Sequence, residues 1–307
     1  MKSSLLPAAK CCVCYRVYWC LAALLLFSAA AMAQTDSTLV QTTGLPRCVV
    51  ETKDGSVLQG LLLEQDANSI RIQTESSGEL TILRSQITRF QVLDEHNFKH
   101  GEYWFDNPNA TRYLFSPTGF SLRKGEAYYQ NTYLVVNSFN YGVTDRFTIG
   151  GGFELISTFT GNPIVFITPK YSFPISEKVH AGAGVLYLNS TAFEDDFSGL
   201  GIGYGIVTYG NTNNNATLGL GYGYVDGSFS SKPIFTLSGM TRISRKVGLV
   251  TENWIVPNGS YYGLFSYGLR FMSEKLTVDL AFVNNSDIAQ EIAIGVPYVD
   301  FVIKFGK

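Results

Sequence analysis

The chain has 307 residues, 16% charged and 14% aromatic, with 30 glycines, 18 tyrosines and 21 phenylalanines. This is a sheet-rich mixture with too few charges for an ordinary soluble surface. A formal net charge of −2 gives no basic footprint for nucleic acid.

The first segment, MKSSLLPAAKCCVCYRVYWCLAALLLFSAAAMAQ, carries Lys2, Lys10 and Arg16, then an apolar run from Leu21 to Ala31, then Ala31-Met32-Ala33 as a small-x-small cleavage site. That order predicts a signal peptide over 1–33, cut before Gln34. The rival reading is a membrane anchor, for which the run is short against the ~20 residues of a spanning helix. Cleavage would remove three of the 23 basic residues and none of the 25 acidic ones, leaving 20 against 25. It would also remove Cys11, Cys12, Cys14 and Cys20, leaving Cys48 without an internal disulfide partner. No later stretch is apolar for about 18 residues, so an exported chain would cross a membrane only as a barrel.

After a short segment (34–46), residues 47–93 read as short β-rich runs separated by Asp54-Gly55, Asp66-Ala67-Asn68 and Ser77-Gly78. Five strands fit, at about 47–53, 56–64, 69–75, 79–83 and 88–92. DGSVLQG, the following ESSGELTIL and the short turn before TRFQVL resemble the small Sm-like or SH3-like barrels. The RNA function of Sm-like relatives is not carried over, because the unit has Arg47, Lys53, Arg71, Arg84 and Arg89 against six acidic residues.

The linker 94–111 holds His96 and His100, four apart. Without a second ligand cluster they read as loop histidines, so no metal and no cofactor is expected.

From 112 onward, runs of alternating residues are ended in turn by tight connections (142–146, 175–178, 211–215, 244–246, 273–275) and by longer ones (FTGNP, STAFEDDFSG, DGSFSSKP, PNGSYY, NNSDIAQEIAIG). This is the rhythm of a transmembrane barrel. One face of most strands lacks charge entirely, for example Val165, Ile167, Tyr171, Phe173 and Phe265, Tyr267, Leu269, Phe271. The opposite faces hold Glu154, Lys170, Arg242, Arg270, Asp279, Asp300 and Lys304, the candidate lumen-facing residues. A charge on the lipid side near the midplane would cost ~2–4 kcal/mol, whereas a soluble sandwich would turn its charged face outward. Phe147, Phe173, Phe271 and Phe305 sit beside the tight turns, as interfacial girdles do.

The strands at 126–141, 179–189 and 247–256 have mixed faces, and their sidedness stays unassigned. Eleven runs are visible from 126. Keeping the 47–93 unit on the periplasmic side requires one more, and RYLFSPTGFSL (112–122) supplies it, for about twelve. The fold expected is all-β: an antiparallel transmembrane barrel over 112–307 preceded by a five-stranded SH3/Sm-like barrel. The final strand, YVDFVIKFGK, resembles the C-terminal strand of bacterial outer-membrane barrels, although it closes on Lys307 and not on an aromatic. The whole 112–307 region resembles outer-membrane barrel proteins, which implies that location and outer-membrane lipid as its surroundings.

The glycine run GLGIGYGIVTYG (199–210) lacks the G-x-G-x-x-G spacing and the helix of a nucleotide loop. Its glycines read as one face of a strand turned to the lumen, leaving room for a channel, a bulky neighbour or a plug. Leu200, Ile202, Tyr204 and Ile206 then face lipid.

Three functions stay open. The first is a pore or uptake channel for small solutes, against which stands a lumen closed by paired charges. The second is an anchoring barrel whose 47–93 unit docks a periplasmic partner. The third, a lipid-modifying enzyme, has only His180 as a barrel base and no recognisable nucleophile, so no enzyme is expected. The N-x-S/T sequons at Asn109, Asn189, Asn215 and Asn258 read as chance in an Asn- and Thr-rich chain.

Overall fold

The computed structural model describes residues 45–93, 97–99, 102–191, 199–258 and 260–306. The segment read as a signal peptide, residues 34–44, and His96 and His100 lie outside them. The chain divides after Val92 into two compact units.

The first unit is one antiparallel sheet of β1 (Arg47–Thr52), β2 (Val57–Gln65), β3 (Ser69–Thr74), β4 (Gly78–Leu83) and β5 (Ile87–Val92), in the order β4-β3-β2-β1-β5. Turn chemistry sets its register: Asp66 Oδ1 accepts the N–H groups of Asn68 (2.6 Å) and Ser69 (2.7 Å). Those bonds hold the Asp66 carboxyl below its usual range. Alternate residues Cys48, Val50, Ile70, Ile72 and Ile82 form the buried core. Burial pushes the Cys48 thiol up to about 11, so it packs as a small neutral apolar group.

The second unit contains a short hairpin, β6 (Phe98–Lys99) with β7 (Glu102–Tyr103), and then a closed barrel. Its strands are β8 (Ala127–Thr132), β9 (Val136–Gly142), β10 (Phe147–Glu154), β11 (Ile164–Ile167), β12 (Lys170–Pro174), β13 (Val179–Ser190), β14 (Leu200–Gly210), β15 (Asn214–Val225), β16 (Ser228–Arg242), β17 (Val247–Asn258), β18 (Ser260–Met272), β19 (Leu276–Asn284) and β20 (Val296–Phe305). β11 and β12 both pair with β10 and β13, and form one stave interrupted at Thr168-Pro169, where proline has no N–H for the ladder. Pairing of β20 with β8 closes twelve antiparallel staves.

The outside of this barrel is its apolar side. Val165, Ile167, Tyr171 and Phe173 are exposed while Lys170 and Ser172 between them are buried. Phe265, Tyr267, Leu269 and Phe271 are exposed while Ser266 and Arg270 are buried. A barrel built to face water would show the reverse. No helix among the described residues is long and apolar enough to cross a membrane. Among the described residues, two short helices, α1 (Leu155–Phe159) and α2 (Ile288–Glu291), lie in connections.

Twelve staves were expected, but two do not lie where the sequence put them. Residues 112–122 form no stave. The run 126–141 instead folds back on itself as β8 and β9, with Tyr133 (φ 53°) and Leu134 (φ 64°) in the left-handed region. Turns of that conformation are normally marked by Gly, Asn or Asp, and here an aromatic and a leucine take the place. Two connections expected to be long are hairpin tips. β15 and β16 run on to meet at Asp226 (φ 45°) and Gly227 (φ 78°), and β17 and β18 pair as far as Asn258 and Ser260.

The face of β14 is also the opposite of that expected. Ile206 and Thr208 are buried, and Val207 and Tyr209 are exposed, so Ile202, Tyr204 and Ile206 point inward and Gly203 and Gly205 point outward. β15 does turn Gly219, Gly221 and Gly223 inward, with Leu218, Leu220 and Tyr222 outside. These glycines make room for their neighbours: a Cβ on Gly221 would stand 2.9 Å from Ile202 Cγ2, and one on Gly219 3.2 Å from Ile206 Cγ2. Alternation of glycine with Ile and Tyr carries no charge to tell the two sides apart, and only Thr208 marks the inner one.

Candidate functional site: a filled lumen

Residues 104–122 explain why no stave forms there. Neighbouring Tyr113 and Leu114 are both fully buried, which no lipid-facing strand allows. The segment's polar groups are bonded first to the neighbouring staves β14, β15 and β16. Asn107 Nδ2 donates to the Thr212 carbonyl at 2.7 Å, Tyr113 Oη donates to Asn215 Oδ1 at 2.6 Å, and Ser116 and Ser238 hydroxyls lie 3.0 Å apart. The Gly119 N–H donates to Thr208 Oγ1 at 2.7 Å. Lys170 of β12 and Asp300 of β20 hold the same segment from other sides, so it lies inside the closed barrel. Phe105, Tyr113 and Leu114 pack there with inward Met240, Val250, Met272, Ala281 and Tyr298.

Five of the seven residues proposed from the sequence for the lumen meet this segment or its partners. Arg270, fully buried, grips both Asp279 oxygens (2.8 and 2.7 Å) and donates to the carbonyls of Asn109 (2.8 Å), Arg112 (3.1 Å) and Tyr113 (2.7 Å). Asp300 pairs with Arg112 of the segment and accepts from Tyr298 Oη (2.8 Å) and Gln130 Nε2 (3.0 Å). Lys170 has its ammonium on the carbonyls of Thr111, Thr118 and Phe120, at 3.3, 3.0 and 2.7 Å. Arg242 donates to the Phe105 carbonyl at 2.7 Å and lies over the Trp104 and Phe105 rings. The remaining two stand apart. Lys304 pairs with Glu126 at 3.0 Å, before the first stave. Glu154 caps α1, accepting the N–H groups of Ile156 and Ser157.

Two residues that matter were not among the candidates. Glu252 is 1% exposed, and its Oε2 accepts three successive backbone N–H groups, those of Leu114, Phe115 and Ser116, each at 2.9 Å. Its Oε1 accepts Trp254 Nε1 at 2.7 Å. A lone carboxylate in an apolar strand cannot face lipid, and that was the available signal. Arg112 was hidden by the strand assignment. His180 packs its ring at a tilt of 54° against Phe120 of the segment (ring centroids 4.6 Å). Asn109, one of the sequon asparagines, is buried and donates to Thr277.

The consequence is closure. Ser138, Thr148, Ser172, Thr208, Thr217, Ser238, Glu252, Ser266, Thr277 and Asp300 are inward polar residues from staves around the whole wall, and all are buried. In an open aqueous pore such groups would be wet. This filled half lies toward the tight connections at 143–146, 175–178, 211–213, 243–246 and 273–275.

No family model matches the chain, and no curated protein does. Solved structures with partial likeness are outer-membrane barrels. KdgM porin aligns with a TM-score of 0.40 and 6% identity over 59% of this chain and 95% of its own. NanC porin gives 0.36 and 10%, over 59% and 97%. OccK5 of Pseudomonas aeruginosa gives 0.32 and 10%, over 84% and 74%. At these scores the likeness carries no argument about function, and the twelve-stranded barrel rests on this chain's own strand pairing.

Proposed function

We propose that this chain is a porin-like outer-membrane barrel, a passage for small solutes held closed by its own segment 104–122. The apolar outer belt supports a lipid surround. The burial of inward polar residues around the whole wall supports the closed state, and is the observation that carries the reading. Residues 47–93 extend the proposal: the strand order β4-β3-β2-β1-β5, with a 3₁₀ turn (Arg84–Gln86) before β5, supports an SH3/Sm-like unit, which this reading assigns to the periplasm.

The test is planar-bilayer conductance of protein whose insertion is checked by heat-modifiable gel mobility. Wild type is expected to be silent or to flicker, whereas a variant with 107–120 replaced by a Gly/Ser linker gives stable ohmic steps. Stable steps from wild type, or silence from the inserted variant, sink the reading. Silence from both would leave the anchoring role, with a partner on 47–93, as the one to pursue.

A further inference from the structure

The lumen has a second half, toward the connections at 133–135, 155–163, 226–227 and 285–295, and its wall has a different chemistry. By register, Phe166 faces Leu188, Leu186 faces Ile202, and Trp254 faces Leu264 across adjacent staves. Each shares its face with a residue buried in the lumen: Phe166 precedes Lys170 by four positions, Ile202 precedes Ile206 by four, and Trp254 and Leu264 lie two from Glu252 and Ser266. These six side chains therefore point into the barrel.

They are not packed shut. Leu186 is 36% exposed although it points inward, and Phe166, Leu188, Ile202, Trp254 and Leu264 are all partly exposed. An inward side chain that solvent still reaches borders open space. The floor of that space is the tip of the segment, where Phe115 is 57% exposed beside Tyr298 (5.0 Å between centroids). The polar groups of this half are spent: Glu252 on the tip and on Trp254, Tyr262 on Asn285, and Glu154 on the first N–H groups of α1, and none of the six wall positions is charged. Lys232, in the bulge of β16, is exposed.

An open chamber with such a wall gains little from sugars or ions and much from displacing water with hydrocarbon. We propose that it binds a small molecule with an uncharged alkyl or aryl body. The inference deepens the reading of the barrel as a closed solute passage and rests on it for the substrate's route.

The experiment uses the protein without residues 1–33 and carrying Trp104→Phe, so that Trp254 is the one tryptophan left. In lipid nanodiscs, 1-bromododecane is titrated and quenching of Trp254 is read. Saturable quenching is expected. The lumen pair Leu186→Asn/Ile202→Asn should weaken it about tenfold or more, and the outward, mutually facing pair Val207→Asn/Leu218→Asn should leave it unchanged. Quenching that never saturates, or that both pairs alter alike, reports partition into the bilayer only and overturns the proposal. The two readings fail separately. Conduction by the linker variant without saturable quenching removes the apolar chamber and keeps the passage. Saturable quenching with no conduction by the linker variant removes the passage and keeps the chamber.

Discussion

Glu252 is the residue on which the closed state turns. Three consecutive N–H groups converge on one of its oxygens, a concave arrangement suited to a full negative charge. Glu252→Gln keeps the size and removes the charge, while turning an amide N–H toward a donor. Its expected cost to segment attachment is about 1–3 kcal/mol, or about five- to 150-fold faster amide exchange at 114–116. Hydrogen-exchange mass spectrometry reads this directly, and unchanged protection would show that the tip is held by its neighbours alone. Arg270, Asp279 and Asp300 were legible in sequence because charge on one face of a barrel strand must avoid lipid. Glu252 was not assigned, because the inner face of β17 is apolar on both sides of it, at Val250 and Trp254. The reason lies in the partner: Val250 belongs to one buried cluster with Tyr113 and Leu114, of a segment that has no strand pattern of its own.

At the scale of elements, strands and turns were readable wherever composition differed between two faces or two conformations. The five strands of 47–93 fall within a residue or two of their expected ends because Asp-Gly and Asp-x-Asn mark the turns. The break between β8 and β9 was invisible because Tyr133 and Leu134 continue an apolar run through a left-handed turn. β14 was turned inside out because glycine is permitted on either side. Its orientation is open to a direct check in a Cys48→Ser background. A nitroxide attached in denaturant to a cysteine at 207 is expected, after refolding into bilayers, to be relaxed strongly by lipid-dissolved oxygen, and one attached at 206 only weakly. The opposite pattern would restore the glycines to the lumen.

For the whole molecule, the division after Val92 separates a unit with its own core from a barrel with its own closure. Removing residues 34–92 is therefore expected to leave the barrel heat-modifiable and closed to current. Loss of the folded band would make the first unit part of the barrel's stability. The position of the filling segment carries one more consequence, for the order of assembly. Residues 104–122 precede every stave, whereas the seam that closes the cylinder joins Ala127 to Phe305, at opposite ends of the barrel sequence. Pairing at such separation comes late, because the intervening chain must first be ordered. The segment is thus at hand while the sheet is still open, and the staves can roll up around it as around a mandrel. On this route Arg270 and Asp300 meet their carbonyls and guanidinium during wrapping, and the barrel is never empty.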